Sequence, residues 1–157
     1  MSRKTKVLFV CYGNICRSPT AQGVFEKLLE QRGLSGNFQV DSAGTAGYHV
    51  GNPPDMRSQQ AAAKRGYDLS HQRSRKVDFA DFYDFDHIIA MDKNNHKDLT
   101  AFAPKDLRDK IKLMLDYGTS GLKEVPDPYY GGEHGFEKVL DLLEEACEGL
   151  LTSIKKD

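Results

Sequence analysis

Val7-Leu8-Phe9-Val10-Cys11-Tyr12-Gly13-Asn14-Ile15-Cys16-Arg17-Ser18-Pro19 changes character twice. Val7 to Val10 form a continuous apolar run rich in β-branched residues, which suits a strand buried on both faces. Ser18-Pro19 reads as the N-cap and first-turn proline of a helix. Cys11 to Ser18 are thus a strand-to-helix loop, where backbone N–H groups and a helix dipole together make an anion site.

Outward from this loop the same alternation continues. Ala21, Val24, Phe25, Leu28 and Leu29 recur at helical spacing up to Gly33, a suitable C-terminal stop. Phe38 to Val40 reads as a strand, Pro54 to Arg65 as a helix closed by Gly66, and His87 to Met91 as a strand. A helix is expected near Asn94 to Phe102 and a strand around Lys112 to Leu115. Phe136, Val139, Leu140, Leu143, Cys147, Leu150, Leu151 and Ile154 make one apolar stripe of a long final helix. Strands alternating with helices predict right-handed crossovers and a four-stranded parallel α/β sheet with helices on both faces, doubly wound in the flavodoxin-like manner. Ligands of such sheets bind beyond the carboxyl ends of the strands. Function is therefore expected in Cys11 to Ser18, Asp41 to Thr45, Asp92 and the segment after Leu115.

Composition narrows the class. The chain has 157 residues, 22 Lys+Arg against 23 Asp+Glu, and 39% hydrophobic residues, which predicts one domain over residues 1–157. At this length a fold buries roughly 70% of its unfolded surface and needs no staples. A net charge of -1 argues against nucleic-acid binding, which favours a basic excess. The apolar run after the basic N-terminus is too short for a signal-peptide core, and no run approaches the roughly 20 residues of a bilayer span. Three cysteines are not a disulfide framework. A cytoplasmic, reducing location is expected, with the thiols available for chemistry.

The loop lacks the later glycines of a dinucleotide fingerprint and the Gly-Lys-Ser/Thr of a nucleotide P-loop. What it offers is Cys-x5-Arg-Ser. A loop of this size can curl its amides round one tetrahedral oxyanion, with the Cys11 sulfur at the bottom and the planar Arg17 guanidinium forking onto two oxygens. Helix N-terminus, amides and Arg17 all favour a thiolate at Cys11. Gly13 and Asn14 tolerate the positive φ that a concave nest of amides needs. Ser18 either donates its hydroxyl to the Cys11 sulfur or serves only as the helix cap. The bare Cys-x5-Arg spacing is weak, and its position between an apolar strand and a Ser-Pro helix start gives it weight.

A metal is not expected. Cys11-x4-Cys16 would need two further ligands, and His49, His71, His87, His96 and His134 form no recognised spacing. No cofactor is implied. For a proton donor, residue chemistry leaves three loop aspartates open: Asp41, Asp92 and Asp127. Asp92 also reads as the N-cap of a helix beginning at Lys93, in which case Asn in its place would leave catalysis near normal. Cys16 reads equally as a packed thiol or as a redox partner of Cys11, and Cys147 as core.

The string VLFVCYGNICRSP, with DSAG at residues 41 to 44 and DPYY at residues 127 to 130, resembles the low-molecular-weight protein tyrosine phosphatases over essentially the whole chain. That resemblance implies metal-free hydrolysis of aryl phosphates, phosphotyrosine proteins among them, through a phosphocysteine on Cys11. It selects Asp127 as general acid and then base. It implies cleft walls from Tyr129 and Tyr130 on one side and from Tyr48 and His49 on the other. Asn14, Ser42 and His71 would form a hydrogen-bonded network beneath the phosphate loop. Two alternatives are a thiol-dependent arsenate reductase, disfavoured because no further cysteine lies in a mobile middle segment, and a non-catalytic oxyanion-binding module, which would not require both a thiolate and an acid.

Overall fold

The computed structural model describes residues 3–128 and 133–156. Four parallel strands, β1 (Thr5–Cys11), β2 (Phe38–Gly44), β3 (His87–Ala90) and β4 (Ile111–Leu113), lie in the order β2-β1-β3-β4. The helices are α1 (Arg17–Gln31), α2 (Met56–Lys64), α3 (Asp81–Asp84), α4 (Lys93–Phe102) and α5 (Glu133–Lys156). The order reverses at β1, since β2 pairs on one side of it and β3 on the other, and this opens a crevice at the carboxyl ends of β1 and β3.

The apolar run that opens the chain is explained by its place. Val7, Leu8, Phe9 and Val10 are all fully buried, and they divide between two cores. Val7 and Phe9 face α1 and α5, packing with Phe25, Leu140 and Leu143, while Leu8 and Val10 face Phe82, Phe85 and Leu99. Phe9 meets Phe25 edge-on with ring centroids 5.6 Å apart, and Phe25 meets Phe38 at 5.9 Å. Each contact adds about 0.5–1.5 kcal/mol to the burial.

Helix ends follow the glycines. Gly33 at φ 68° and Gly66 at φ 88° each close a helix with paired bonds back onto the last turn, Leu34 N–H to Leu29 O and Tyr67 N–H to Ala62 O among them. Several expectations need correction. Asp41 to Gly44 are not a loop but the second half of β2, in register with Leu8 to Cys11. The polar Asp41 and Ser42 are tolerated there because Arg75 and the phosphate loop supply their partners. The fourth strand ends at Leu113, and Met114–Tyr117 wind into a 3-10 turn under α5. Helix α2 starts at Met56, capped by the Asp55 carboxylate on Arg57 N–H, not at Pro54. Helix α1 begins at Arg17, with Cys16 at the cap position and no side-chain cap bond, so Ser18 lies inside the first turn. Helix α3 was not foreseen because four residues are too few to show a period.

One close approach fits α5 against the 3-10 turn that follows β4. A Cβ at Gly149 would lie 1.8 Å from the Tyr117 carbonyl oxygen, a backbone atom that cannot swing aside. Alanine in a helix normally gains about 1 kcal/mol over glycine. Here overpacking costs of about 1–3 kcal/mol or more override it. Urea unfolding is expected to show Gly149→Ala destabilised by that amount, whereas Gly36→Ala, with no atom within 4 Å of its Cβ, stays close to the parent.

Candidate active site

The Cys11–Ser18 loop leaves the end of β1 and curls back before α1 begins. Its reversal sits on Asn14, whose φ of 56° is the only positive value at a non-glycine position among the described residues. The Asn14 side chain spans the turn. Its amide donates to Ser18 Oγ at 2.8 Å and Ser42 Oγ at 3.0 Å, and its Oδ1 accepts the Arg75 N–H at 3.1 Å. Gly13 does not use positive φ. A Cβ there would come within 2.9 Å of the His49 ring, which would have to shift. Gly44 is more strictly required, since its Cβ would meet a backbone atom, the Tyr12 carbonyl oxygen, at 2.8 Å.

Donors converge on the Cys11 sulfur. Asn14 N–H points at Sγ from 3.3 Å and Ser18 Oγ lies 3.0 Å away. Ser18 Oγ already accepts the Asn14 amide, and its other partner, the Ala43 carbonyl, is at 3.5 Å, so the sulfur is the better acceptor for its hydrogen. Ser18 is therefore a sulfur ligand and not the helix cap. The polar chain continues from Ser42 Oγ to Gln72 Oε1 at 3.5 Å, and Gln72 Nε2 donates to the Pro19 carbonyl at 3.0 Å. Gln72 is buried and fills the place expected of His71, which is exposed. His71 sits in a turn closed by the Gln72 N–H on the Leu69 carbonyl at 3.1 Å, and a lone histidine carries no pattern that would reveal which of the two residues turns inward.

Arg17 is buried at 4% exposure. Its Nη1 donates to Asp92 Oδ2 at 2.7 Å and to the Val125 carbonyl at 3.0 Å. Among the described residues Nε and Nη2 have no protein partner, which leaves a guanidinium fork for a ligand. Burial opposes the charge, but the neighbouring Cys11 and then the Asp92 hydrogen bond and carboxylate outweigh it and hold the Arg17 pKa above its ordinary value. Asp92 does cap α4, with Oδ1 accepting Asn95 N–H at 2.7 Å in a reciprocal capping box. Its second oxygen holds Arg17, so the cap reading was half of its role. Sequence reasoning missed the pair because 75 residues separate the partners.

A cavity of about 240 Å³ opens over the loop, lined by Cys11, Tyr12, Gly13, Ile15, Cys16, Arg17, His49 and Asp127. Of the three aspartates left open by sequence, Asp127 lines this cavity. Asp41 is turned to Arg75 and Asp92 to Arg17. His49 lines the cavity. Tyr48 does not: it is 79% exposed, and its ring lies 6.1 Å from that of Tyr12, centroid to centroid. Tyr12 takes the wall position instead, and sequence treated it only as part of the loop. Tyr129 and Tyr130 lie outside the described residues.

Cys16 is a buried free thiol whose pKa burial pushes up to about 12, only partly offset by a hydrogen bond with Ser58. Cys147, on α5, is sealed in the core. Among the described residues no group of three or more His, Cys, Asp or Glu is placed to hold a metal ion, and no helix is long and apolar enough to cross a membrane.

Residues 6–157 match the family model of the low molecular weight phosphotyrosine protein phosphatases. A low molecular weight protein-tyrosine-phosphatase of Bacillus subtilis is 45% identical over 152 residues, covering 96% of each chain. The human low molecular weight phosphotyrosine protein phosphatase is 42% identical over 147 residues, covering 92% of each. A crystal structure of a protein tyrosine phosphatase from Entamoeba histolytica superposes with a TM-score of 0.95 at 44% identity, covering 98% of both chains.

The double role of Asp92 yields a measurable split. Asn is itself a good N-cap, so Asp92→Asn is expected to leave the melting temperature nearly unchanged. The bond to Arg17 loses its charge assistance, worth about 1.5–3 kcal/mol, and kcat/KM for an aryl phosphate is expected to fall roughly tenfold or more as the fork loses its orientation. An unchanged kcat/KM would reduce Asp92 to a cap.

Proposed function

The chain belongs to the low-molecular-weight protein tyrosine phosphatases, and on that premise we propose that Cys11, Arg17 and Asp127 carry its hydrolysis of phosphotyrosine through a phosphocysteine. The observation that supports this best is the convergence of the Asn14 N–H and the Ser18 hydroxyl on the Cys11 sulfur, at the floor of a cavity that Arg17 and Asp127 also line.

In this reading the phosphoryl group enters the nest of loop amides and its oxygens take the free Nε and Nη2 edge of Arg17. The Cys11 sulfur attacks phosphorus opposite the ester oxygen. As the P–O bond breaks, Asp127 gives its proton to the departing phenolate. The resulting Asp127 carboxylate then takes a proton from water, whose oxygen attacks phosphorus, and the S–P bond breaks to return the Cys11 sulfur and release phosphate. The Ser18 hydroxyl supports the sulfur both as nucleophile and as leaving group. His49 and Tyr12 supply flat apolar surface for the aryl ring, with Tyr129 and Tyr130 proposed as the remaining wall. We take residues 1–157 to be one cytoplasmic phosphatase domain acting on phosphotyrosine proteins or small aryl phosphates without cofactor. A thiol reductase would need a mobile third cysteine, and Cys147 is fully buried in the core.

Cys11→Ser is expected to abolish turnover of aryl phosphates, measured in a chelator, because serine at this site is not ionised. Asp127→Asn is expected to steepen the dependence of the phosphorylation rate on leaving-group pKa, slowing poor leaving groups most. A burst measurement isolates that step from hydrolysis of the phosphocysteine. A residual full rate in Cys11→Ser, or an unaltered leaving-group slope, would overturn the assignment.

Cys16 is proposed as the thiol that protects Cys11 from peroxide. Peroxide oxidises the Cys11 sulfur to a sulfenic acid, and the Cys16 thiol then displaces water to give the disulfide. Peptide mapping after mild peroxide is expected to find a Cys11–Cys16 bond and full recovery with dithiothreitol, and Cys16→Ser to lose activity irreversibly. Equal recovery in both proteins would refute this protection.

A further inference from the structure

We propose that Arg75 is a positioning residue of the phosphate loop, its guanidinium clamped between Asp41 and Asp81 so that residues 74–77 act as a strut that holds the loop in its oxyanion-binding shape. This rests on the reading that the Cys11–Ser18 loop holds the phosphoryl group. The strut grips two consecutive loop residues. Ser74 Oγ donates to the Gly13 carbonyl at 3.0 Å, and Arg75 N–H donates to Asn14 Oδ1 at 3.1 Å. The second grip falls on the side chain that ties the loop's one left-handed residue to Ser18 and Ser42.

The strut needs an outside anchor. It belongs to no regular strand, and its link to the sheet is a single parallel bridge between Gly44 and Lys76. Gly44 N–H donates to Arg75 O and Val77 N–H to Gly44 O, each at 2.8 Å, which ties one edge to the end of β2. The other edge meets Gly51 and Asn52, through Ser74, also at 2.8 Å. The Arg75 side chain fixes the tilt of this segment. Its Nη1 and Nη2 fork onto Asp81 at 2.9 and 3.2 Å, and its Nε holds Asp41 at 3.1 Å. Asp81 is itself only 6% exposed and accepts the Asp78 N–H at 2.8 Å, so it is a fixed post and not a swinging surface charge. An isolated exposed ion pair would contribute little. A fork on a buried carboxylate is directional, and lysine, a point charge, cannot hold both aspartates with the same geometry.

The test measures oxyanion binding, which a purely structural role would leave intact while the protein is folded. Competitive inhibition by inorganic phosphate is measured for Arg75→Ala and Arg75→Lys well below each melting temperature, with hydrogen exchange followed at the loop amides. Loss of one pinned hydrogen bond is expected to weaken phosphate about tenfold in Arg75→Ala, with KM rising alongside and loop amides exchanging faster, and to a smaller extent in Arg75→Lys. If Arg75→Ala does not fold, Arg75→Lys decides alone. Inhibition constants within about twofold of the parent in the folded variants would overturn the proposal, even if melting temperatures fell. Failure of the unsubstituted protein to bind phosphate would instead remove the phosphate-loop reading, and this inference with it.

Discussion

Backbone amides can point at a common centre only where the chain reverses its local handedness, and Asn14 is where this chain does so. For a residue with a Cβ the left-handed region carries a steric cost, of order 1–3 kcal/mol when held as local strain, and it persists only where surrounding contacts over-determine it. Those contacts come from four places in the sequence: Ser18 in α1, Ser42 in β2, the Arg75 backbone, and through Ser42 the buried Gln72. Curvature of the loop is thus set by hydrogen bonds that require the sheet and the 72–77 segment to be in place first.

Charge is arranged with the same dependence. The cost of burying the Arg17 charge is offset by Asp92 behind it and the Cys11 sulfur before it. Asp92 is held in turn by its cap at the start of α4, so the helix dipole end and the guanidinium share one carboxylate. The Arg17 Nη1 is also fixed by the Val125 carbonyl, two residues before Asp127. Attachment of the segment that carries Asp127 and orientation of the Arg17 guanidinium are therefore a single packing event.

How much of this was legible in the sequence follows from how local each signal is. Val7 to Val10 announced a two-faced strand because the run is short, rich in β-branched residues and followed at once by a glycine-containing loop. The α5 stripe and the stops at Gly33 and Gly66 were equally local. Cys11, Asn14, Arg17 and Ser18 were readable because they lie within eight residues. Asp127 was not selected by chemistry, since three aspartates had the same claim, and only the family resemblance separated them. The remaining misses are long-range. Asp92 on Arg17 and Arg75 beneath Asn14 join partners tens of residues apart, and no periodicity records them. His71 failed for a different reason: it sits in the exposed turn closed by Gln72 on Leu69, and Gln72 is the residue buried. Tyr48 and Tyr12 exchanged places on the wall because loop course, not residue type, decides which ring faces the cavity.

The two-faced burial of β1 carries a consequence for how the molecule is made. This strand is central in the sheet, yet its partners all follow it in the chain, at intervals: β2, then β3, and last α5. The face carrying Val7, Phe9, Ile89 and Met91 shares its core with Val139, Leu140, Leu143 and Leu150. Until residues 133–156 have been synthesised, much of that face has no cover. A nascent chain at that stage presents a sticky apolar surface to its surroundings, the kind of species that chaperones engage. Cys11 at the end of β1 is thus translated well before the helix that closes the core behind it.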